Sequence, residues 1–178
     1  MATNRRIATA VALLLAVPTI LGAQATPEGL RGEFLRQFDS SMQKFEALAR
    51  AMPESAYSWS PGGGVMPVAR VYAHVARYNY AYPAQSLNVA APQGVDLATM
   101  ESLTSKADLV ALLQRSGEHV RAAVRTGSDA DWAGTTQLYG REVQRWTVLL
   151  QLLAHMNEHL GQSIAYARMN GVVPPWSQ

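Results

Sequence analysis

The stretch Leu153-Ala154-His155-Met156-Asn157-Glu158-His159-Leu160-Gly161-Gln162 decides how this chain folds and what it could hold. It lies inside an apolar run whose period predicts a helix from about Arg141 to Asn170, with Gly171 as its stop and Pro174-Pro175 beyond. His155 and His159 are four residues apart, so a helix projects both imidazoles from one face with their β-carbons about 5–6 Å apart. Two imidazoles so placed can share a metal ion, at about 2.0–2.1 Å for zinc, although two ligands alone seldom hold one well. The zinc-protease signature is a different pattern, because there a glutamate directly follows the first histidine and acts as general base. Met156 occupies that position here, and Glu158 is turned about 100° away from His159 by the helix. Gln162, three residues after His159, is placed to bond the second ring nitrogen of a metal-binding histidine; the plainer reading is a polar surface residue.

Moving outward, the same predicted helix has two apolar stripes. Trp146, Leu149, Leu150, Leu153, Leu160 and Ile164 form one, and Val148, Leu152, His155, His159 and Tyr166 form the other. A helix apolar over that much of its circumference should be surrounded, within a bundle or at a subunit contact. Three further helices are expected. The first starts at Thr26-Pro27-Glu28, a capping hydroxyl followed by proline and an acid, and runs to about Ala51 with Leu30, Phe34, Phe38, Met42, Phe45 and Leu48 or Ala49 on one face. The second starts near Pro67, after the loop Ser60-Pro61-Gly62-Gly63-Gly64, and aligns Val68, Val71, Tyr72, Val75, Asn79 and Tyr82. The third follows Ser105-Lys106-Ala107-Asp108, which resembles a capping box, and ends near Thr126-Gly127. Residues 83–104 read as irregular, and Trp132 to Gly140, rich in Gly and Thr, as a short extended piece.

A third ligand is needed to complete a site, and His74 is the candidate, at the edge of the apolar stripe of the second helix. One histidine on an apolar face is more often a hydrogen-bonded core residue than a ligand; a pair four apart shifts that balance. His119, alone on the third helix beside Glu118, reads as a surface residue. Tyr78, one turn after His74, reads as core or as a hydroxyl offered to the pocket.

Residues 1–25 have the layout of a cleaved signal peptide: Arg5 and Arg6, the uncharged apolar run from Ile7 to Ile20, and Ala23-Gln24-Ala25 for the peptidase. The run is shorter than the roughly 20 residues of a membrane span and contains Pro18. The expected mature domain is therefore residues 26–178, periplasmic or secreted, with no stable membrane anchor. The whole chain has 15 Lys and Arg against 13 Asp and Glu; loss of Arg5 and Arg6 leaves 13 of each. A neutral domain with scattered arginines gives no support for a nucleic-acid partner. With no cysteine, disulfides, thiolate ligands and a cysteine nucleophile are excluded, so any metal must be held by nitrogen and oxygen.

Taken in order, these segments resemble the DinB/YfiT-like family. Pro53-Glu54 with Tyr57, Trp59 and Pro61 is similar to its segment between the first two helices. Val71-Tyr72-Ala73-His74-Val75-Ala76 with Asn79 resembles its first histidine motif, and Leu153 to Gln162 its paired-histidine motif. Tyr166, Arg168, Gly171 and Pro174-Pro175 are similar to its usual ending. The resemblance implies an all-α, up-and-down four-helix bundle in which His74, His155 and His159 bind one divalent ion, commonly nickel or zinc. Some members of the family are transferases or isomerases that use low-molecular-weight thiols, a role at odds with export from the reducing cytosol. Two functions are therefore expected as alternatives. One is a metal-dependent transferase or hydrolase acting on an unidentified small molecule, its catalytic acid or base not assignable from sequence. The other is a non-catalytic bundle with a structural metal or none, acting through binding or as a homodimer.

Overall fold

The computed structural model describes residues 29–177. The predicted signal peptide and the Thr26-Pro27-Glu28 helix start lie outside the described residues. Four long helices form the body: α1 (Gly29–Ala51), α2 (Val68–Ser86), α3 (Lys106–Thr126) and, after a short α4 (Asp129–Ala133) and a hairpin, α5 (Trp146–Met169). The hairpin strands β1 (Thr135–Leu138) and β2 (Arg141–Gln144) are antiparallel, with Thr135 opposite Gln144 and Leu138 opposite Arg141.

The apolar periods specify the packing. On α1, Phe34, Phe38, Met42, Phe45 and Leu48 recur every three or four residues and are all buried. α1 packs on α3 and α5, and α2 packs on the same two helices. α1 and α2 thus face each other across the bundle, where Phe45 meets Tyr72 edge-on at 6.0 Å. Three of the buried polar side chains tie the helices together, each paired as burial favours. Asn79 Nδ2 donates to Ser116 Oγ at 3.0 Å, and that hydroxyl donates to the Leu113 carbonyl at 2.9 Å, tying α2 to α3. Ser41 Oγ donates to Asn157 Oδ1 at 2.8 Å between α1 and α5.

The helix ends are closed by neighbouring segments. Lys106 Nζ donates to the carbonyls of Arg50 and Met52, at 2.9 and 2.6 Å, where the last turn of α1 has no intrahelical donors left. At the start of α2 the backbone N–H groups of Val68 and Ala69 donate to the carbonyls of Trp59 and Tyr57, so the loop after Pro53 acts as a cap. Ser105 caps α3 by accepting from the Asp108 N–H, as its sequence suggests.

Two expectations require correction. The helix expected from Arg141 begins instead at Trp146, because residues 141–144 form β2. Tyr139 and Gly140, both at positive φ (52° and 73°), make the tight turn that sends the chain back along β1. The extended piece is real but is half of a hairpin. α2 continues past Pro83 to Ser86, since a proline inside a helix removes a single backbone donor and the following residues still bond onward. Within the single chain α5 buries Val148, Leu149, Leu152, Met156, Leu160 and Ala167 and leaves Leu150 44 % exposed, the face that the expected alternative of a subunit contact would cover. No helix of the described residues is long and apolar enough to cross a membrane.

Candidate metal centre

α2 and α5 pack side by side, and all three histidines expected as ligands meet at that contact. The ring centroids are 5.1 Å apart for His74 and His155, 4.8 Å for His74 and His159, and 4.6 Å for His155 and His159. One nitrogen from each ring can be chosen so that all three lie within 4.8 Å of one another. Nitrogens around a tetrahedral zinc ion would stand roughly 3.3 Å apart. Holding a zinc ion would require the side chains to rotate and close that difference.

The hydrogen bonds at the back of the rings determine which nitrogen faces inward. His74 Nδ1 lies 2.8 Å from Glu101 Oε1, and a carboxylate can only accept, so Nδ1 carries the proton and Nε2 keeps its lone pair. The same assignment follows for His159 through a longer relay. Tyr166 Oη donates to the Met66 carbonyl at 3.1 Å, which leaves its oxygen to accept from Gln162 Nε2 at 2.8 Å. Gln162 Oε1 is then the acceptor for His159 Nδ1 at 2.8 Å, and His159 Nε2 is free. Two of the three rings are thus held in the tautomer that presents Nε2 as a ligand, the supporting shell that metal-binding histidines require.

Burial and charge favour the neutral, ligating form. Burial pushes the His155 pKa down to about 4, and the neighbouring His159 and His74 contribute in the same direction. At His74 burial also dominates and lowers the pKa, outweighing the opposing pull of Glu101. Glu101 is partly buried, which alone would raise it, but its bonds to His74 and to Arg70 Nε at 3.0 Å hold it below the ordinary range. It is ionised at neutral pH.

Tyr78 covers one side of the centre, its ring 4.7 Å from His74 and 4.5 Å from His155. Tyr82 stands 5.8 Å from His155, accepts from Gln151 Nε2 at 3.4 Å and hydrogen-bonds Tyr139 at the hairpin turn. The hairpin therefore touches the tyrosine wall beside the histidines. Glu158 is exposed, as the helix geometry predicts.

The three histidines and Gln162 singled out in the sequence do cluster, whereas Glu101 is missed there. That residue lies in the segment read as irregular, in a single 3₁₀ turn (Met100–Ser102), and reaches His74 across 27 positions. No periodicity marks it. Glu101 thus places an acid beside His74 that could not be assigned from the sequence. His119 is corrected: it is half-buried, packs on Tyr80 at 5.0 Å and encloses its Nε2 without a partner.

The DinB superfamily pattern matches residues 37–166, which include all three histidines. Two solved structures are similar in fold. One is a DinB-like protein from Bacillus cereus ATCC 10987, with 16 % identity, a TM-score of 0.72, and 81 % of this chain and 95 % of that chain covered. The other is a DinB-like protein from Bacillus subtilis, with 19 % identity, a TM-score of 0.62, and 82 % and 98 % covered. No curated protein matches the chain.

Proposed function

Because this chain belongs to the DinB superfamily, we propose that it is an exported protein in which His74, His155 and His159 hold one zinc or nickel ion, and that the loaded site acts on a small molecule as a transferase or hydrolase. The observation that carries this reading is the pair of Nδ1 hydrogen bonds, to Glu101 and Gln162, which turn two Nε2 lone pairs toward a common point. An all-imidazole donor set suits zinc and nickel, and the chain has no cysteine thiolate to compete. When bound, the ion supplies a Lewis acid with coordination positions left for a water or a substrate oxygen.

The chain's own residues do the remaining work. Glu101 and Gln162 fix the two rings and make them better donors. Tyr78 and Tyr82 provide an apolar wall that strengthens electrostatic interactions beside it. Ions with a purely structural role normally take four protein ligands, whereas three cluster here among the described residues, which favours a working site over a structural one. Export rests on residues 1–25, and the exposed Leu150 of α5 supports a contact between two copies. Neither a nucleic acid nor a lasting membrane anchor belongs to this reading.

Metal content by elemental analysis is the direct test, on protein purified without a histidine tag. About one equivalent is expected, lost in a His155→Ala, His159→Ala double variant. If neither protein holds an ion after incubation with zinc and nickel, the three histidines are core residues and the proposal fails. Cobalt-substituted protein tests the catalytic part, since a visible spectrum unmoved by any added small ligand would mean no open position. N-terminal sequencing of exported protein should begin at Thr26.

A further inference from the structure

A large cavity of the described residues lies away from the three clustered histidines. It lies between α2, α3 and the 92–103 segment, with a volume of about 770 Å³. Drug-sized ligand pockets fall at about 300–1,000 Å³, so this one holds a small organic molecule with room to spare. Tyr80, Met100 and Leu112 form an apolar floor, each no more than 5 % exposed. His119 stands in the wall against Tyr80, with an enclosed ring nitrogen for which the described chain supplies no hydrogen bond.

The rim carries both signs of charge. Arg115 and Glu118 lie three apart on α3 and both line the cavity, on neighbouring positions of one helix face. Neither has an ion-pair partner among the described residues, although six arginines (Arg31, Arg36, Arg50, Arg70, Arg77 and Arg121) are each paired with an acid. Both act on the same point: the Tyr80 phenol, raised chiefly by burial, is pulled down by Arg115 and up by Glu118. The third charged group, Asp96, is already engaged, accepting from the Ala98 N–H and the Thr99 hydroxyl.

We infer that this cavity is a binding site, separate from the metal centre, for a small zwitterion with an apolar body, of the type of a free aromatic α-amino acid. Its carboxylate pairs with Arg115, its ammonium with Glu118, and its ring lies on Tyr80, Met100 and Leu112. A simple carboxylate would meet Glu118 with the wrong sign and a simple amine would meet Arg115 with the wrong sign. Only a molecule with both charges a few ångströms apart satisfies the rim.

Isothermal titration calorimetry on the full chain, with L-phenylalanine, phenylacetate and phenethylamine, tests this. The titrations are run with EDTA present, because an amino acid can also chelate a metal ion. L-Phenylalanine should bind saturably and at least about tenfold more tightly than either analogue, each lost charge pair being worth roughly that factor. Arg115→Met and Glu118→Gln, both at exposed positions, should each weaken it about tenfold, and the His155→Ala, His159→Ala variant should bind it unchanged. No binding, equal affinity for a singly charged analogue, or loss of binding in the histidine variant but not in the rim variants would overturn the assignment. Failure of the metal proposal would leave all these outcomes as they are.

Discussion

At the scale of single residues, the decisive feature is the partner behind two of the three candidate ligands. Glu101 both orients His74 and keeps its own charge, and Gln162 does the same for His159 without charge. Replacing Glu101 by Gln, or Gln162 by Leu, should reduce metal affinity about 10–100-fold. Competition with a chromophoric chelator measures this, with circular dichroism as the check that the fold is intact; affinities within twofold of the native protein would show that these groups do not orient the rings. Only one of the two was legible in the sequence, for a physical reason. Gln162 is bound to His159 by helix geometry, three positions on, so spacing alone places it. Glu101 owes its position to the tertiary path of the 87–104 segment, which carries no period. His119 shows the converse: beside Glu118 it looks like a solvated helix face, but Tyr80 on another helix covers it.

Among the elements, α5 bears both the ligands and a large share of the core, and its two duties fall on adjacent residues. Met156, between the two histidines, is fully buried. The residue standing where a zinc protease keeps its base is thus a packing residue facing away from solvent. Met156→Ala should cost about 2–5 kcal/mol in urea unfolding, while Leu150→Ala, on the open face of the same helix, should cost well under half of that. Equal losses would mean that the open face is covered in solution, as a subunit contact would do. The long apolar period made α5 itself easy to find. Its beginning was not, because Arg141 to Arg145 carry no apolar pattern of either period, and the strand arises from a turn at Tyr139-Gly140. A tyrosine at positive φ is an unusual turn residue, so no composition rule announces it.

For the whole molecule, the candidate metal centre joins helices far apart in sequence, α2 and α5, so an ion bound there would be linked to global stability and to pH together. The unfolded chain takes up protons at the ordinary histidine value near 6.5, whereas folded His155 takes one only at about 4. Between those values the unfolded state holds more protons, so stability rises with pH and is lost as the pH falls. Burial at His74 and His119 acts in the same direction. In EDTA the melting temperature should therefore fall as the pH is lowered from about 6.5 to 4, and less steeply in a His155→Phe variant. A saturating ion at pH 7 adds roughly 4 kcal/mol when present at about a thousand times its Kd, or on the order of 10 °C for a domain of this size. Protons compete with the ion for the same Nε2 lone pairs, so that increment should shrink on acidification and vanish near pH 4. Differential scanning calorimetry across that range, with and without zinc, separates the two effects. A native protein whose metal-free melting temperature is flat from pH 6.5 to 4 would contradict the buried neutral His155. A zinc increment independent of pH would mean that the ion binds somewhere other than at histidines.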